Sequence, residues 1–80
     1  MKKVGVKILP RNEVLDSQGR AVEKTLEHHG KVVGACRVGK YVQLQFDVSD
    51  DQKALDQAKE IAEFVLYNPL IETYELEILT

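Results

Sequence analysis

The stretch that decides the fold is Arg37 to Val48, RVGKYVQLQFDV. From Tyr41 onward its polar and apolar residues alternate, and a period of two puts the two sets on opposite faces of a strand. A second apolar run, Val32 to Val38, comes just before the pair Gly39-Lys40. Glycine followed by almost any residue suits a two-residue type II′ turn, because glycine readily takes the positive φ at the first central position. The stretch therefore predicts a β-hairpin, with strands at 32–38 and 41–48 and one apolar face.

The flanking sequence predicts two more strands and a first helix. Apolar and polar residues alternate again over Lys3–Leu9 and Thr73–Leu79, which is typical of half-buried strands. Asp16 is a good N-cap, since its carboxylate can accept an orphan backbone N–H. The helix that it begins should run to about His29, with the glutamates at 23 and 27 facing solvent and Gly30 as a left-handed C-cap.

A second helix is the clearest element in the sequence. Ser49 opens a capping box with Gln52, and Asn68-Pro69 ends the helix, because the residue before a proline is pushed out of the helical region. Apolar residues at helical spacing form the predicted inward stripe. They are Ala54, Leu55, Ala58, Ile61, Ala62, Val65 and Leu66.

The predicted order is strand, helix, strand, strand, helix, strand. With right-handed crossovers this order predicts a single α+β domain over residues 1–80, a ferredoxin-like βαββαβ sandwich. Two helices would cover one face of a four-stranded antiparallel sheet. The other face should carry polar side chains with long aliphatic stems, which can either face water or pack against a second copy of the chain. It would present Lys3, Lys7, Arg37, Tyr41, Gln43, Gln45, Glu75 and Glu77.

Composition favours a cytoplasmic protein without a nucleic-acid or membrane partner. The formal net charge of −2 argues against nucleic acid and anionic membranes, which attract basic surfaces. One cysteine excludes an internal disulfide and favours a reducing compartment. The opening MKKVGVKILP lacks the apolar core and cleavage site of a signal peptide, and no apolar run approaches the ~20 residues that span a bilayer.

Candidate catalytic and metal-binding residues each have a simpler structural explanation. His28-His29 point about 100° apart on a helix, so they cannot grip one ion as an i, i+4 pair can. Cys36 has no evident activating base and is expected to be a buried, inert thiol. Asp50-Asp51 suit the positive end of a helix dipole, and Arg11-Asn12 lack the run of free N–H donors that cradles a phosphate. Tyr41 alone is no base-stacking platform. The residues therefore predict no catalytic, cofactor or metal site in this chain.

Three segments resemble the sequence signatures of the PurS family, the small subunit of phosphoribosylformylglycinamidine (FGAM) synthase. They are VLDSQGRAVEKTL at 14–26, RVGKYVQLQFD at 37–47 and LYNPLIETYELEI at 66–78. Ser17 stands where the family usually has proline, which would be favoured as the first helical residue. For one set of motif residues in these segments, the resemblance implies either a structural role or a contact role at an interface. These residues are Asp16, Gln18, Gly19, Arg37, Gly39, Lys40, Tyr41, Asn68 and Pro69.

The resemblance implies a non-catalytic bridge in a ligase complex of de novo purine (IMP) biosynthesis. In that family the synthetase PurL uses ATP and magnesium, and the glutaminase PurQ releases ammonia from glutamine. PurS, as a homodimer or homotetramer, docks the two so that ammonia can pass between their sites. The chain alone would bind no cofactor, and Arg37, Lys40 and Tyr41 offer the kind of contacts that anchor interfaces.

The residues alone leave one alternative open, a small-effector-binding regulatory domain of ferredoxin-like fold. Such a domain would show saturable binding of a small effector in calorimetry. A bridging subunit would instead be required for glutamine-dependent synthesis. The sequence does not distinguish a free dimer from a tetramer.

Overall fold

Three strands and two helices alternate along the chain in a computed structural model that describes residues 1–79. The elements are β1 (Lys2–Pro10), α1 (Ser17–His28), β2 (Lys40–Phe46), α2 (Asp51–Ile61) and β3 (Glu72–Ile78). A π-helical turn, Ala62–Leu66, continues α2. The predicted α+β class and the predicted pair of helices are confirmed.

The sheet has β1 at its centre and is antiparallel throughout, in the order β2-β1-β3. Val6 of β1 lies between Val42 of β2 and Leu76 of β3. Because β1 has a neighbour on each side and a helix over one face, Val6 and its counterparts at alternate positions, Val4 and Ile8, are fully buried. The predicted period of two therefore correctly identified the inward face of each strand that forms.

Helix α2 covers this apolar face through a stripe of small residues. Ala54, Ala58 and Ala62 are completely buried against the sheet. Alanine at these positions lets the helix approach the sheet closely, because its small methyl group leaves room for the larger side chains of the strands. The core is thus made by one helix and three strands, with partly buried Leu44 and Leu76 at its margin.

The predicted strand at Val32–Val38 and the turn at Gly39-Lys40 are wrong. In the described residues the sheet has three strands rather than four, and the 31–39 segment lies outside it. Gly30 is the one glycine of this part of the chain with a positive φ, so Gly39 does not form a type II′ turn. The reason is that an apolar run of strand-like composition indicates a preference for extended backbone but does not specify a neighbouring strand to bond.

Helix α1 does not cover the sheet, so the prediction of two helices on one face is also wrong. Within residues 1–79, α1 makes no more than marginal contact with any other helix or strand. The chain measures 48 Å in its longest dimension and its radius of gyration is 15.7 Å. A compact chain of this length would have a radius of gyration of about 12 Å. We call residues 12–38, which extend away from the sheet, the arm.

Both ends of α1 follow the prediction. Asp16 is the N-cap, and its side chain accepts a hydrogen bond from the Gly19 N–H at 2.9 Å. After the helix, Gly30 takes a φ of 76°. The Lys31 N–H then returns to the Leu26 carbonyl at 2.8 Å, which completes a Schellman-type end. The arm therefore contains a properly capped helix although it lies off the sheet.

The ends of α2 differ from the prediction in two details. Its N-cap is Asp50 rather than Ser49, and the Asp50 side chain accepts from the Gln52 N–H at 3.3 Å. Val65, predicted to face inward, is 67% exposed, because the wider π-helical turn shifts the apolar stripe at this end. The predicted stop at Asn68-Pro69 is confirmed, since the backbone is already extended at the residue before it.

Candidate functional site at one end of the sheet

The sheet register brings the separate sequence motifs to one end of the molecule. Because β2 and β3 both run antiparallel to β1, the end of β1 lies beside the starts of both neighbours. Ile8 pairs with Lys40, and Pro10 pairs with Glu72. The motif residue Gly39 comes directly before β2, and Asn68-Pro69 come shortly before β3, so both lie at this end of the sheet. We call this region, made of residues 8–11, 39–41 and 68–72, the motif end.

Gly39 serves close packing rather than a turn. A Cβ at this position would collide with the carbonyl oxygen of Ile8, so a side chain would push the start of β2 away from β1. The neighbouring Lys40 places its Nζ 4.0 Å from the Glu72 carboxylate, across β1, in an ion pair in which the Lys40 side chain is 60% exposed and the Glu72 side chain 19% exposed. Pairs of this kind add little stability, which leaves the Lys40 ammonium available for other contacts.

Tyr41 lies across the open face of the sheet, opposite α2. Its hydroxyl donates to Glu77 Oε1 at 2.9 Å, and Lys7 Nζ lies 3.0 Å from Glu77 Oε2. The hydrogen bond from Lys7 is the main cause that lowers the pKa of the Glu77 carboxyl. Gly5 makes room for the phenol ring, since a Cβ there would collide with the Tyr41 hydroxyl. The predicted polar face is confirmed for these residues, whereas Arg37 is not on it because its segment forms no strand.

Arg11 ties the Asn68-Pro69 turn to the end of β1. Its backbone N–H donates to the Ile71 carbonyl at 2.8 Å, and its Nε donates to the Pro69 carbonyl at 3.0 Å. Asn68 closes the turn with its side-chain oxygen, which accepts from the Leu70 N–H at 3.0 Å. The turn residues of the third motif are therefore fixed against β1.

Two carboxylates of the arm, Asp16 and Glu23, hold the 31–39 segment against α1. Besides capping α1, Asp16 accepts the Val38 N–H through Oδ2 at 2.9 Å. Glu23 accepts the Cys36 N–H at 3.0 Å. Gly19 is buried beneath the segment, and a Cβ there would collide with the Cys36 carbonyl oxygen. We call Asp16 and Glu23 the carboxylate clamp.

The clamp changes the chemistry of Asp16 and fixes the position of Arg37. The hydrogen bonds from Gly19 and then from Val38 are the two largest causes that lower the pKa of the Asp16 carboxyl, and the charge of Arg37 adds to them. Arg37 lies between the two bound amides, so its backbone is fixed on both sides. The motif residues Asp16, Gly19 and Arg37, separate in sequence, are therefore brought together at the base of the arm.

Other predicted residues have plainer surroundings. Gln18 is exposed on the first turn of α1. Cys36 was expected to be a buried thiol in a strand, but it is half-buried and outside the sheet. In residues 1–79 no group of three histidine, cysteine or acidic side chains could hold a metal ion, and no helix is long and apolar enough to cross a membrane.

Sequence reasoning missed the role of Glu23, which was expected to face solvent. A signal for it exists, because Glu23 lies four residues after Gly19 and so on the same face of α1. Arg11 was considered only as part of a phosphate loop. Its bonds to Pro69 and Ile71 depend on sheet register, which no local pattern reveals.

Comparison with known proteins identifies the family. The family model described as PurS, phosphoribosylformylglycinamidine (FGAM) synthase, matches residues 3–80. The PurS subunit of Thermotoga maritima is 32% identical over 75 residues, which is 92% of this chain and 92% of that protein. The PurS subunit of Bacillus subtilis is 39% identical over 80 residues, covering 98% of this chain and 93% of that protein.

Solved structures agree over nearly the whole chain, including the arm. The crystal structure of T. maritima PurS has a TM-score of 0.91 at 32% identity and covers 98% of this chain and 91% of that one. A chain of the PurLQS structure from T. maritima has a TM-score of 0.90 at 32% identity, covering 98% and 96%. These findings favour a synthase subunit over the effector-binding domain that the residues left open. The chain belongs to the PurS family of FGAM synthase subunits.

Proposed function

We propose that this chain is the bridging subunit of an FGAM synthase complex in de novo purine (IMP) biosynthesis. It assembles a PurQ-type glutaminase with a PurL-type, ATP-dependent synthetase, makes no bonds itself, and supports ammonia transfer between them. The observation that carries the proposal is its likeness, arm included, to a chain of the PurLQS structure. ATP, magnesium and glutamine would be used by the partners rather than by this chain, in the cytoplasm.

The arm has the character of an unfilled interface. It exposes apolar side chains that are unusual on a helix and loop that face only water. Leu15 is 67% exposed, Val32 is 89% exposed, and Val22 and Val33 are each more than two-fifths exposed. An arm that exposes four such side chains is a candidate place for another protein to bind. The arm is therefore the part of the chain most in need of a partner.

The size of the exposed surface fits a second copy of the chain. The accessible surface is 5879 Å². A compact protein of the same mass, 9.1 kDa, would expose about 4,900 Å². The excess of about 1,000 Å² is close to the ~800 Å² that each partner buries in a standard stable interface. We propose a homodimer in which the arm of each copy packs on the other, or a homotetramer if the open sheet faces also pair.

The motif residues would then provide contacts for the larger subunits. Gly19, Gly39, Asn68 and Pro69 are explained by packing and turns within the chain. Arg37, Lys40 and Tyr41 keep polar groups at the surface close to the motif end, and arginine and tyrosine are enriched among the residues that dominate interface energies. We assign these three residues to the subunit contact surface.

Reconstitution tests the bridging function. Glutamine-dependent synthesis by the partner synthetase and glutaminase should fall at least about tenfold when this chain is omitted, because ammonia is then lost to solvent instead of reaching the synthetase. Synthesis with ammonium chloride in place of glutamine should fall much less. An unchanged glutamine-dependent rate without the chain would rule out the bridging function.

Charge reversal tests the contact surface. The variants Arg37→Glu and Lys40→Glu should weaken co-elution with the two partner subunits in size-exclusion chromatography, because like charges across an interface oppose binding. Lys59→Glu, on the exposed side of α2, is the matched control and should co-elute normally. Circular dichroism should show that all three variants keep the fold. Normal co-elution of the first two would remove Arg37 and Lys40 from the contact surface.

A further inference from the structure

Three arginines from distant parts of the sequence line one cavity at the base of the arm. Arg11 follows β1, Arg20 lies on α1, and Arg37 comes from the clamped segment. The cavity has a volume of about 340 Å³, and a smaller one of about 170 Å³ adjoins it and shares Arg11 and Arg37. Together they are large enough for a small ligand.

The guanidinium groups remain available for a ligand. Within residues 1–79 the three ion pairs are all made by lysines, and no arginine takes part in one. Arg11 uses its Nε for the Pro69 carbonyl, at 3.0 Å, and this bond holds the side chain while its terminal amino groups stay free. A guanidinium offers several N–H donors in a planar fork that matches phosphate and carboxylate oxygens.

Backbone N–H groups already occupy part of the acceptor capacity of the carboxylates in the cavity wall. Both oxygens of Asp16 already accept backbone N–H groups, and Glu23 accepts the Cys36 N–H. Glu13, at the smaller cavity, is exposed. The formal charges of the three arginines and the three carboxylates therefore balance, but in residues 1–79 the only hydrogen bond that an arginine side chain donates is the one from Arg11 Nε to Pro69, which leaves an excess of unused guanidinium donors. An oxyanion would satisfy this excess.

The site is also organised before a ligand arrives. Arg37 projects from backbone that the carboxylate clamp fixes on both sides, and Arg20 follows Gly19, which is packed beneath the same segment. Because the backbone that carries Arg37 is already fixed, binding would have to order less of the chain. The rest of the wall includes apolar side chains, among them Val14 and Ala35, which could receive an uncharged part of the ligand.

We infer that this cavity binds a small phosphate-bearing molecule through Arg11, Arg20 and Arg37. Three guanidiniums that approach from three segments suit the several terminal oxygens of a phosphate group better than the two of a carboxylate. The inference does not rest on the bridging function, because it concerns a site formed within a single copy of the chain.

Titration of the full chain, in the oligomer that it forms, tests the site. Inorganic phosphate, pyrophosphate and ribose 5-phosphate would be added at constant ionic strength while backbone amide signals are followed by NMR. We expect saturable shifts at Gly19, Cys36 and Arg37, with ribose 5-phosphate binding more tightly than inorganic phosphate if the apolar wall contributes. Acetate at the same ionic strength should give no saturable shift.

Variants separate the site from general charge effects. Arg37→Gln and Arg20→Gln should each weaken binding of the phosphate probe by about tenfold or more. Lys24→Gln removes one positive charge from the exposed face of the same helix and should leave affinity unchanged. Arg20→Lys keeps the positive charge but loses the planar set of guanidinium N–H donors. This variant tests the site if the glutamine variants fail to fold. Non-saturable shifts, equal binding of acetate, or unchanged affinity in Arg37→Gln and Arg20→Lys would overturn the inference.

Discussion

Asp16 uses its two carboxylate oxygens for two different connections. One oxygen caps α1 through Gly19, and the other holds Val38, which is 22 residues further along the chain. Sequence reasoning identified the cap, because capping is local and depends on the residue type alone. The bond to Val38 could not be predicted, since it depends on where the 31–39 segment returns. The position of this segment also explains Gly19, because a Cβ there would collide with the Cys36 carbonyl oxygen.

The two bonds of Asp16 give the arm an acid-dependent stability. The pKa of Asp16 in the folded chain is below its ordinary value of 3.8. A carboxyl whose pKa is lowered by folding contributes stability above its unfolded pKa and loses that contribution as the pH falls through the folded pKa. Asp16→Asn should therefore lower the melting temperature by about 5 °C at neutral pH, because one acceptor is lost.

The difference between wild type and Asp16→Asn should then shrink as the pH falls below about 3.8, because the Asp16 carboxyl of the unfolded chain takes up its proton there, before that of the folded chain does. Thermal unfolding of both proteins between pH 7 and pH 2.5 would measure it. Glu77, whose pKa is also lowered, titrates in both proteins and cancels in the comparison. A gap in melting temperature that does not vary with pH would contradict a structural role for the Asp16 charge.

At the scale of elements, the sequence predicted what each segment prefers but not what it packs against. Alternation placed β1, β2 and β3 within a few residues, and the alanine stripe identified the buried side of α2. The same reasoning put 32–38 in the sheet, because VVGACRV has the composition of a strand. Backbone bonds to the carboxylate clamp take the place of a neighbouring strand there, and side-chain acceptors far away in sequence leave no periodic signal.

Helix α1 shows the same limit. Its apolar stripe, centred on Val22 and Leu26, predicts a face to be buried, yet within one copy Val22 remains 41% exposed. An amphipathic pattern does not say whether the covering surface belongs to the same chain or to another. The predicted sandwich placed α1 on its own sheet, whereas the arm points away from it.

The exposed stripe of α1 leads to a prediction about assembly. Val22→Glu should convert the homo-oligomer to monomer, or weaken its association at least about tenfold, because the interface would have to bury an unpaired charge. Thr25→Glu adds the same charge at an exposed position on the same helix and serves as the control. Light-scattering molar mass would separate the two outcomes. An unchanged oligomer in Val22→Glu would show that the apolar stripe of α1 lies outside the interface.

At the scale of the whole molecule, the chain has a small core and a large surface. Three strands and one helix bury Val4, Val6, Ile8 and three alanines completely, and the arm adds no fully buried large side chain to them in the described residues. A domain of this size gains little stability from its own core, so association is expected to contribute much of it. The arm, which does not pack on its own sheet, would provide the surface for that association.

If association supplies the missing stability, the melting temperature must depend on protein concentration. For a dimer that unfolds together with dissociation, each tenfold increase in concentration should raise the melting temperature by about 4 °C, since mass action favours the folded complex. Calorimetry from a few micromolar to a few hundred micromolar would show the trend, and Val22→Glu should abolish it while melting at a lower temperature. A wild-type melting temperature that stays constant over this range would mean that a single copy folds stably with its arm exposed. In that case the excess surface would have to be covered by the larger subunits alone.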